Sequence, residues 1–128
     1  MIPTFIFQLG RGEPFEIHWD GKQSRDFTFV DDVVQANLLA AQALSVSGMV
    51  FNIANGESRS VLEVAETIGA ILGRDPGRRF TARRQGDVRK TWASIEQARR
   101  LLAYEPRVSF EEGLRRTVDY FHTIGLIG

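Results

Sequence analysis

No cysteine occurs in this chain. That excludes a disulfide framework, a thiol nucleophile and a thiolate metal site. Histidine is scarce too: His18 and His122 stand far apart and make no metal site between them. Lysine is reduced to Lys22 and Lys90, so the basic residues are nearly all arginine. Composition bias accounts for most of that excess; recognition of oxyanions by planar guanidinium forks is the sharper reading. Charge of one sign is also missing. Sixteen Lys and Arg balance sixteen Asp and Glu, so no global field argues for a nucleic acid or an anionic membrane. No apolar run is long enough to cross a bilayer. No signal peptide is read at the start, and a cytoplasmic protein is expected. There is no internal repeat, low-complexity tract or linker, so residues 1–128 are expected to form a single domain.

What is present is ordinary for a globular protein: 128 residues, 43% hydrophobic and 25% charged. A chain of this size buries roughly two-thirds of its unfolded surface, enough for a core. It opens on an apolar segment, Met1 to Phe7, read as a helix with Pro3 in the first turn and Gly10 or Gly12 closing it. No polar lead-in precedes that segment, which is the pattern of a chain that starts inside a longer one.

Phe15-Glu16-Ile17-His18 alternates as a short strand. Asp20-Gly21 is a hairpin signal, and Gln23 to Val30 is expected to return as the second strand. Asp31 or Asp32 is a suitable N-cap for a helix from about Val33 to Leu44. Val34, Leu38 and Ala41 share one face of it, with Val33, Ala36 and Ala40 beside them, a stripe wide enough for burial on more than one side. Met49 to Ile53 predicts a buried strand. Capping boxes at Ser60–Glu63, Ser94–Gln97 and Ser109–Glu112 open three further helices. The first closes at Gly73, the second near Leu102, and the third carries Leu114, Val118 and Phe121 inward before fraying at Gly125. Arg79 to Ala82 reads as a short edge strand. About five helices and four short strands make a mixed α/β (α+β) fold.

Two stretches carry chemistry. In Arg25-Asp26-Phe27-Thr28-Phe29-Val30-Asp31-Asp32 an arginine sits on a strand that runs into a helix. Local sequence leaves two readings open: a surface arginine paired with Asp26 or Asp31, or a bidentate fork for phosphate oxygens beside a helix N-terminus. In Arg83-Arg84-Gln85-Gly86-Asp87 the glycine allows a tight turn that could aim Arg84 and Asp87 into one cleft, cation to phosphate and carboxylate to sugar hydroxyls. The alternative is a solvated loop. Arg78, Arg79, Arg83, Arg84, Arg89 and Lys90 form a basic stretch, but aromatics are sparse in it and no nucleic-acid motif accompanies it, so no nucleic-acid partner is expected. His122 reads as a surface residue. Asp31-Asp32 looks like a paired-carboxylate motif, which helix capping explains fully. No serine occupies a nucleophile elbow.

Together these residues resemble a family. Gly12 to Ile17, Asp20 to Val34, Val50 to Gly56, Arg84 to Val88, Leu101 to Pro106 and Ser109 to Leu114, in that order, look like the C-terminal region of extended short-chain dehydrogenase/reductases. These are NAD-dependent sugar-nucleotide epimerases and dehydratases, with UDP-glucose 4-epimerase-like members nearest. The resemblance implies that Arg25 and Arg84 hold a nucleotide diphosphate, that Asp87 accepts hydrogen bonds from ribose hydroxyls, and that Glu16 to His18 border the nucleobase. It implies NAD as the cofactor of a full-length member and a UDP-sugar as the ligand. Four positions depart from the family's pattern: Trp19 and Ala103 stand where glycine is usual, Gln85 where proline is, and Ser94 where aspartate is. The Trp19 indole is expected to fill or reshape the base pocket.

The absences weigh more. The family's dinucleotide fold begins with a glycine-rich turn after a first strand; Gly10 and Gly12 have no third partner at that spacing and no preceding strand. Its catalysis needs a tyrosine with a lysine four residues later, and Val108 and Ile124 stand four residues after Tyr104 and Tyr120. The expectation is therefore a substrate-binding lobe, truncated relative to the family, without the Rossmann domain, bound NAD or catalysis of its own. It would bind a nucleotide diphosphate-sugar weakly. The Val33 helix and the Met49–Ile53 segment, left uncovered, predict a homo-oligomer or a separate partner chain. The alternative is a structural remnant with no small-molecule site.

Overall fold

The computed structural model describes residues 1–127. The elements run α1 (Ile2–Gly10), β1 (Phe15–His18), β2 (Ser24–Asp26), α2 (Val30–Gln42), β3 (Ser58–Ser60), α3 (Val61–Leu72), β4 (Arg78–Thr81), α4 (Glu96–Leu102) and α5 (Phe110–Thr123). The class is mixed α/β, as expected. The strand pairing is not. β1 pairs in parallel with β4, Phe15 opposite Arg78 and His18 opposite Thr81. β2 pairs antiparallel with β3, Arg25 opposite Arg59.

The β1–β2 hairpin is therefore a correction. Trp19 (φ 63°) and Gly21 (φ 70°) both turn left-handed, and the chain leaves the first ladder there. The turn's polar groups then find distant partners. The first amides of α3 bond back to it, Leu62 to the Gly21 carbonyl (3.1 Å) and Val61 to that of Gln23 (3.0 Å). Ser24 exchanges backbone hydrogen bonds with the 89–91 segment (Ser24 N to Arg89 O, 2.8 Å; Thr91 N to Ser24 O, 3.1 Å). Each of these contacts satisfies a group that a hairpin would have paired locally.

α3 is the best-specified element. Ser60 Oγ accepts from the Glu63 amide (3.2 Å) while the Glu63 carboxylate accepts from the Ser60 amide (2.6 Å), and Gly73 closes the helix left-handed at φ 63°. The other two boxes are incomplete. Ser109 caps α5, but the Glu112 carboxylate accepts from Arg116 instead. Ser94 does not cap α4, whose N-cap is Ile95.

The main core lies where α1 (Phe5, Ile6, Leu9), β1 (Phe15, Ile17), α3 (Val64, Ala65, Ile68) and α5 (Leu114, Val118) meet. A second cluster joins Ala36, Ala54, Ile95, Ala98, Leu102 and Tyr104. The Tyr104 hydroxyl donates to the Ala54 carbonyl (3.0 Å). Burial, followed by the Asp32 and Asp26 carboxylates, pushes that hydroxyl up to about 12.

Three further readings of local pattern change. Asp31 and Asp32 lie inside the first turn of α2, whose N-cap is Phe29 and uses no side chain. The stripe of α2 that periodicity alone reads as buried is solvent-facing, in keeping with the expectation that this helix is left uncovered: Val34 is 52% and Leu38 60% exposed, and only Ala36 and Asp32 are buried. Residues 49–53 pair with no strand among the described residues, and Val50 is 84% exposed. An apolar run supplies the propensity for a strand, but a strand also needs a neighbour.

Candidate functional site

A cavity of about 450 Å³ opens between the ends of β1 and β2 and the loop that follows β4. Its wall includes Glu16, His18, Gln23, Arg25, Arg84 and Asp87. Alternation along β1 buries Phe15 and Ile17 in the core and leaves Glu16 and His18 on the cavity side. Gly86, at φ 81°, turns the loop that carries Arg84 and Asp87.

The charged groups divide sharply by how they are engaged. Arg25 donates through Nη1 to the Ser24 (2.7 Å) and Val88 (2.9 Å) carbonyls and through Nη2 to the Asp87 carboxylate. Neither Asp26 nor Asp31 is its partner: Asp26 accepts from the Asn55 and Gly56 amides, and Asp31 pairs with Arg116. The Arg25 Nε–H and one Nη2–H remain for a ligand. Asp87 keeps its second carboxylate oxygen. Glu16 pairs with Arg79 (2.6 Å), and the His18 ring lies 3.6 Å from Glu16 and 2.6 Å from the Thr81 hydroxyl. The Arg84 side chain makes no hydrogen bond or ion pair among the described residues. An anion entering this cavity would meet Arg84 unengaged, beside Arg25 already oriented by its neighbours.

One residue of the wall was not anticipated, and another lies elsewhere. Gln23 is buried in the cavity wall; its side-chain amide donates to the His18 carbonyl (2.8 Å), while its Oε1 has no partner. Only its place just before β2 hints at this. Trp19 does not line the cavity, so its indole does not fill it. Its ring lies under two guanidinium groups, Arg83 at 4.3 Å and Arg89 at 3.9 Å from the centroid.

Neither tyrosine lines the cavity. Tyr104 is buried and bonded to a carbonyl, and Tyr120 lies exposed on α5. No cluster of three metal-ligating side chains occurs among the described residues, and no helix there is long and apolar enough to cross a membrane.

A profile of the family described as GDP-mannose 4,6 dehydratase matches residues 1–117. The chain belongs to the NAD-dependent sugar-nucleotide epimerase/dehydratase family. Among relatives of this epimerase/dehydratase chain, the UDP-glucuronate 4-epimerase of Thermodesulfobacterium geofontis is 33% identical over 120 residues, 93% of this chain and 36% of that protein. The UDP-glucose 4-epimerase of Thermotoga maritima, solved with UDP-glucose, superposes with a TM-score of 0.90 at 39% identity, over 96% of this chain and 39% of that one. The UDP-glucuronic acid 4-epimerase of Bacillus cereus, solved with UDP-glucuronic acid and NAD, gives 0.91 at 32% identity, over 96% and 40%. This epimerase/dehydratase chain thus spans well under half the length of the relatives it matches.

Members of the family bind UDP-sugars and NAD. Among the described residues, neither junction in which a strand runs directly into a helix carries the glycine-rich turn of a dinucleotide site. A dinucleotide's pyrophosphate needs such a turn between a strand and a helix. β2 reaches α2 through Phe27, Thr28 and Phe29, and β3 runs straight into α3 at Ser60–Val61, with no glycine at either junction.

Proposed function

We propose that this chain is the C-terminal substrate-binding lobe of an NAD-dependent sugar-nucleotide epimerase or dehydratase, and that its cavity takes the nucleotide diphosphate of a UDP-sugar. The observation that carries the reading is one juxtaposition: Arg84, with no partner among the described residues, and Arg25, with two donors to spare, share a cavity wall with Asp87. Two guanidinium groups at one cavity match a diphosphate's two negative centres. The free oxygen of Asp87 suits a vicinal diol such as ribose. Glu16 and His18, at the β1 side, border the base. The chain's residues bind and orient; bond-making at the sugar needs groups that neither tyrosine supplies.

Calorimetric titration with UDP-glucose and then with NAD tests this. The expected result is weak binding of UDP-glucose and none of NAD. Failure of UDP-glucose to bind would reject the site, and binding of NAD would reject the assignment of the lobe.

A second reading concerns assembly and rests on the exposed apolar face of α2 with Val50 nearby in sequence. Uncovered apolar surface of that kind favours association. The purified chain is expected to self-associate, and a strictly monomeric mass in light scattering at high concentration would overturn that.

A further inference from the structure

We propose that Trp19 is a positioning residue: a latch that holds the 83–89 loop against the turn after β1 and so sets Arg84 and Asp87 in place before a ligand arrives. The inference rests on the reading of the cavity as a nucleotide site.

The residue is first of all an oddity. A bulky side chain at φ 63° occupies backbone space that glycine fills freely, and such a conformation persists only where its surroundings hold it. Backbone and side-chain contacts hold it. The Trp19 amide donates to the Thr81 carbonyl (2.9 Å), closing the β1–β4 ladder at the His18–Thr81 pair. The indole lies under the guanidinium groups of Arg83 and Arg89, one at each end of the loop. Cations close to an indole face are attracted by the ring's quadrupole.

Both arginines are tied in turn. Arg89 donates through Nη1 to both oxygens of the Asp20 carboxylate (2.7 and 2.9 Å), which holds that carboxyl below its ordinary value. Arg83 donates to the backbone carbonyl of Asp87. Asp87 pairs with Arg25 on β2. A continuous path of contacts therefore runs from the Trp19 ring through Arg83 to Asp87 and Arg25. The same arrangement engages Arg83 and Arg89 away from the cavity, so that of the loop's arginines Arg84 alone is left to meet a phosphate.

Trp19→Gly separates the latch from the strain. Glycine accepts this backbone angle without steric strain, so the variant relieves the turn while removing the indole, though it also adds backbone freedom. Trp19→Asn, which tolerates the same angle with less added freedom, should loosen the loop to a similar degree if the lost ring is the cause. Trp19→Phe keeps an aromatic face and serves as the conservative comparison. Hydrogen exchange on the ligand-free protein reads the loop through the amides of Ser24, Asp87 and Thr91, whose hydrogen bonds close it. Those amides are expected to exchange about ten-fold faster in Trp19→Gly, in line with the loss of two cation–π contacts. Amides in α3 should be unchanged, and Trp19→Phe should recover most of the protection.

UDP-glucose titration of the same proteins then separates the two ideas. A weakening of about five- to ten-fold in Trp19→Gly, recovered in Trp19→Phe, supports the positioning role. Unchanged exchange in Trp19→Gly overturns the latch, whatever the protein binds. Faster exchange with unchanged affinity overturns the positioning role. Faster exchange in a protein whose parent does not bind UDP-glucose upholds the latch and overturns the nucleotide reading.

Discussion

Asp32→Ala is expected to lower the unfolding free energy by about 3 kcal/mol. Asp32 is 2% exposed, and its two oxygens accept from the backbone amides of Arg107 (2.8 Å) and Val108 (3.2 Å). Those amides lie in the connection between α4 and α5, so one side chain near the start of α2 fastens a segment 75 residues further on. Removing it leaves two backbone donors without this partner, the Val108 amide in a buried position and the Arg107 amide in a partly buried one. Each unsatisfied buried donor costs about 1–3 kcal/mol. Removal of a buried carboxylate recovers part of that, because its own desolvation opposes folding. Asp32→Asn keeps one acceptor but turns an amide N–H₂ toward the other donor, and should lie between alanine and the parent. Urea unfolding followed by circular dichroism measures both. An unchanged midpoint in Asp32→Ala would mean that water satisfies these amides and that Asp32 is not a fastener.

Arg25→Ala is expected to weaken UDP-glucose binding by about 1.5–3 kcal/mol, the range for charged hydrogen bonds. Two effects add in this variant. The phosphate loses a donor fork, and Asp87 loses its cationic partner and stands as an uncompensated carboxylate beside an incoming anion. Arg84→Ala removes only the first of these, so it should weaken binding less. Arg25→Lys should recover little, because an ammonium cannot reproduce a fork that meets Asp87 and two carbonyls at once. Titration at fixed ionic strength reads the difference. Equal and undiminished affinity in Arg25→Ala and Arg84→Ala would remove the cavity from consideration.

Local sequence was a good guide where a local interaction met no competitor, as at α3, and a poorer one at the starts of α2 and α4. The Ser60–Glu63 box spans three residues, and α3 opens there and closes at Gly73 as the pattern indicates. The bounds of α1 and β1 were legible for the same reason. Arg25, Arg84, Asp87, Glu16 and His18 could be picked out by residue type and resemblance, and all five line one cavity. Their mutual arrangement could not. The partner of Arg25 is Asp87, 62 residues away, in preference to the two aspartates beside it.

The remaining differences have the same origin. Asp-Gly favours a turn at residues 20–21, and a turn forms, yet β1 takes its partner from residues 78–81. Trp19 and Ala103 stand at left-handed positions (φ 63° and 53°) where the family's usual glycine has a ready explanation. The sequence by itself determined the capping of α3, the class of the fold and the candidate side chains, because these follow from backbone propensity and contacts a few residues apart. Only the tertiary structure decided which strands pair, which carboxylate fastens a distant loop and which arginine is left unengaged, because each depends on groups far apart in sequence competing for the same partner.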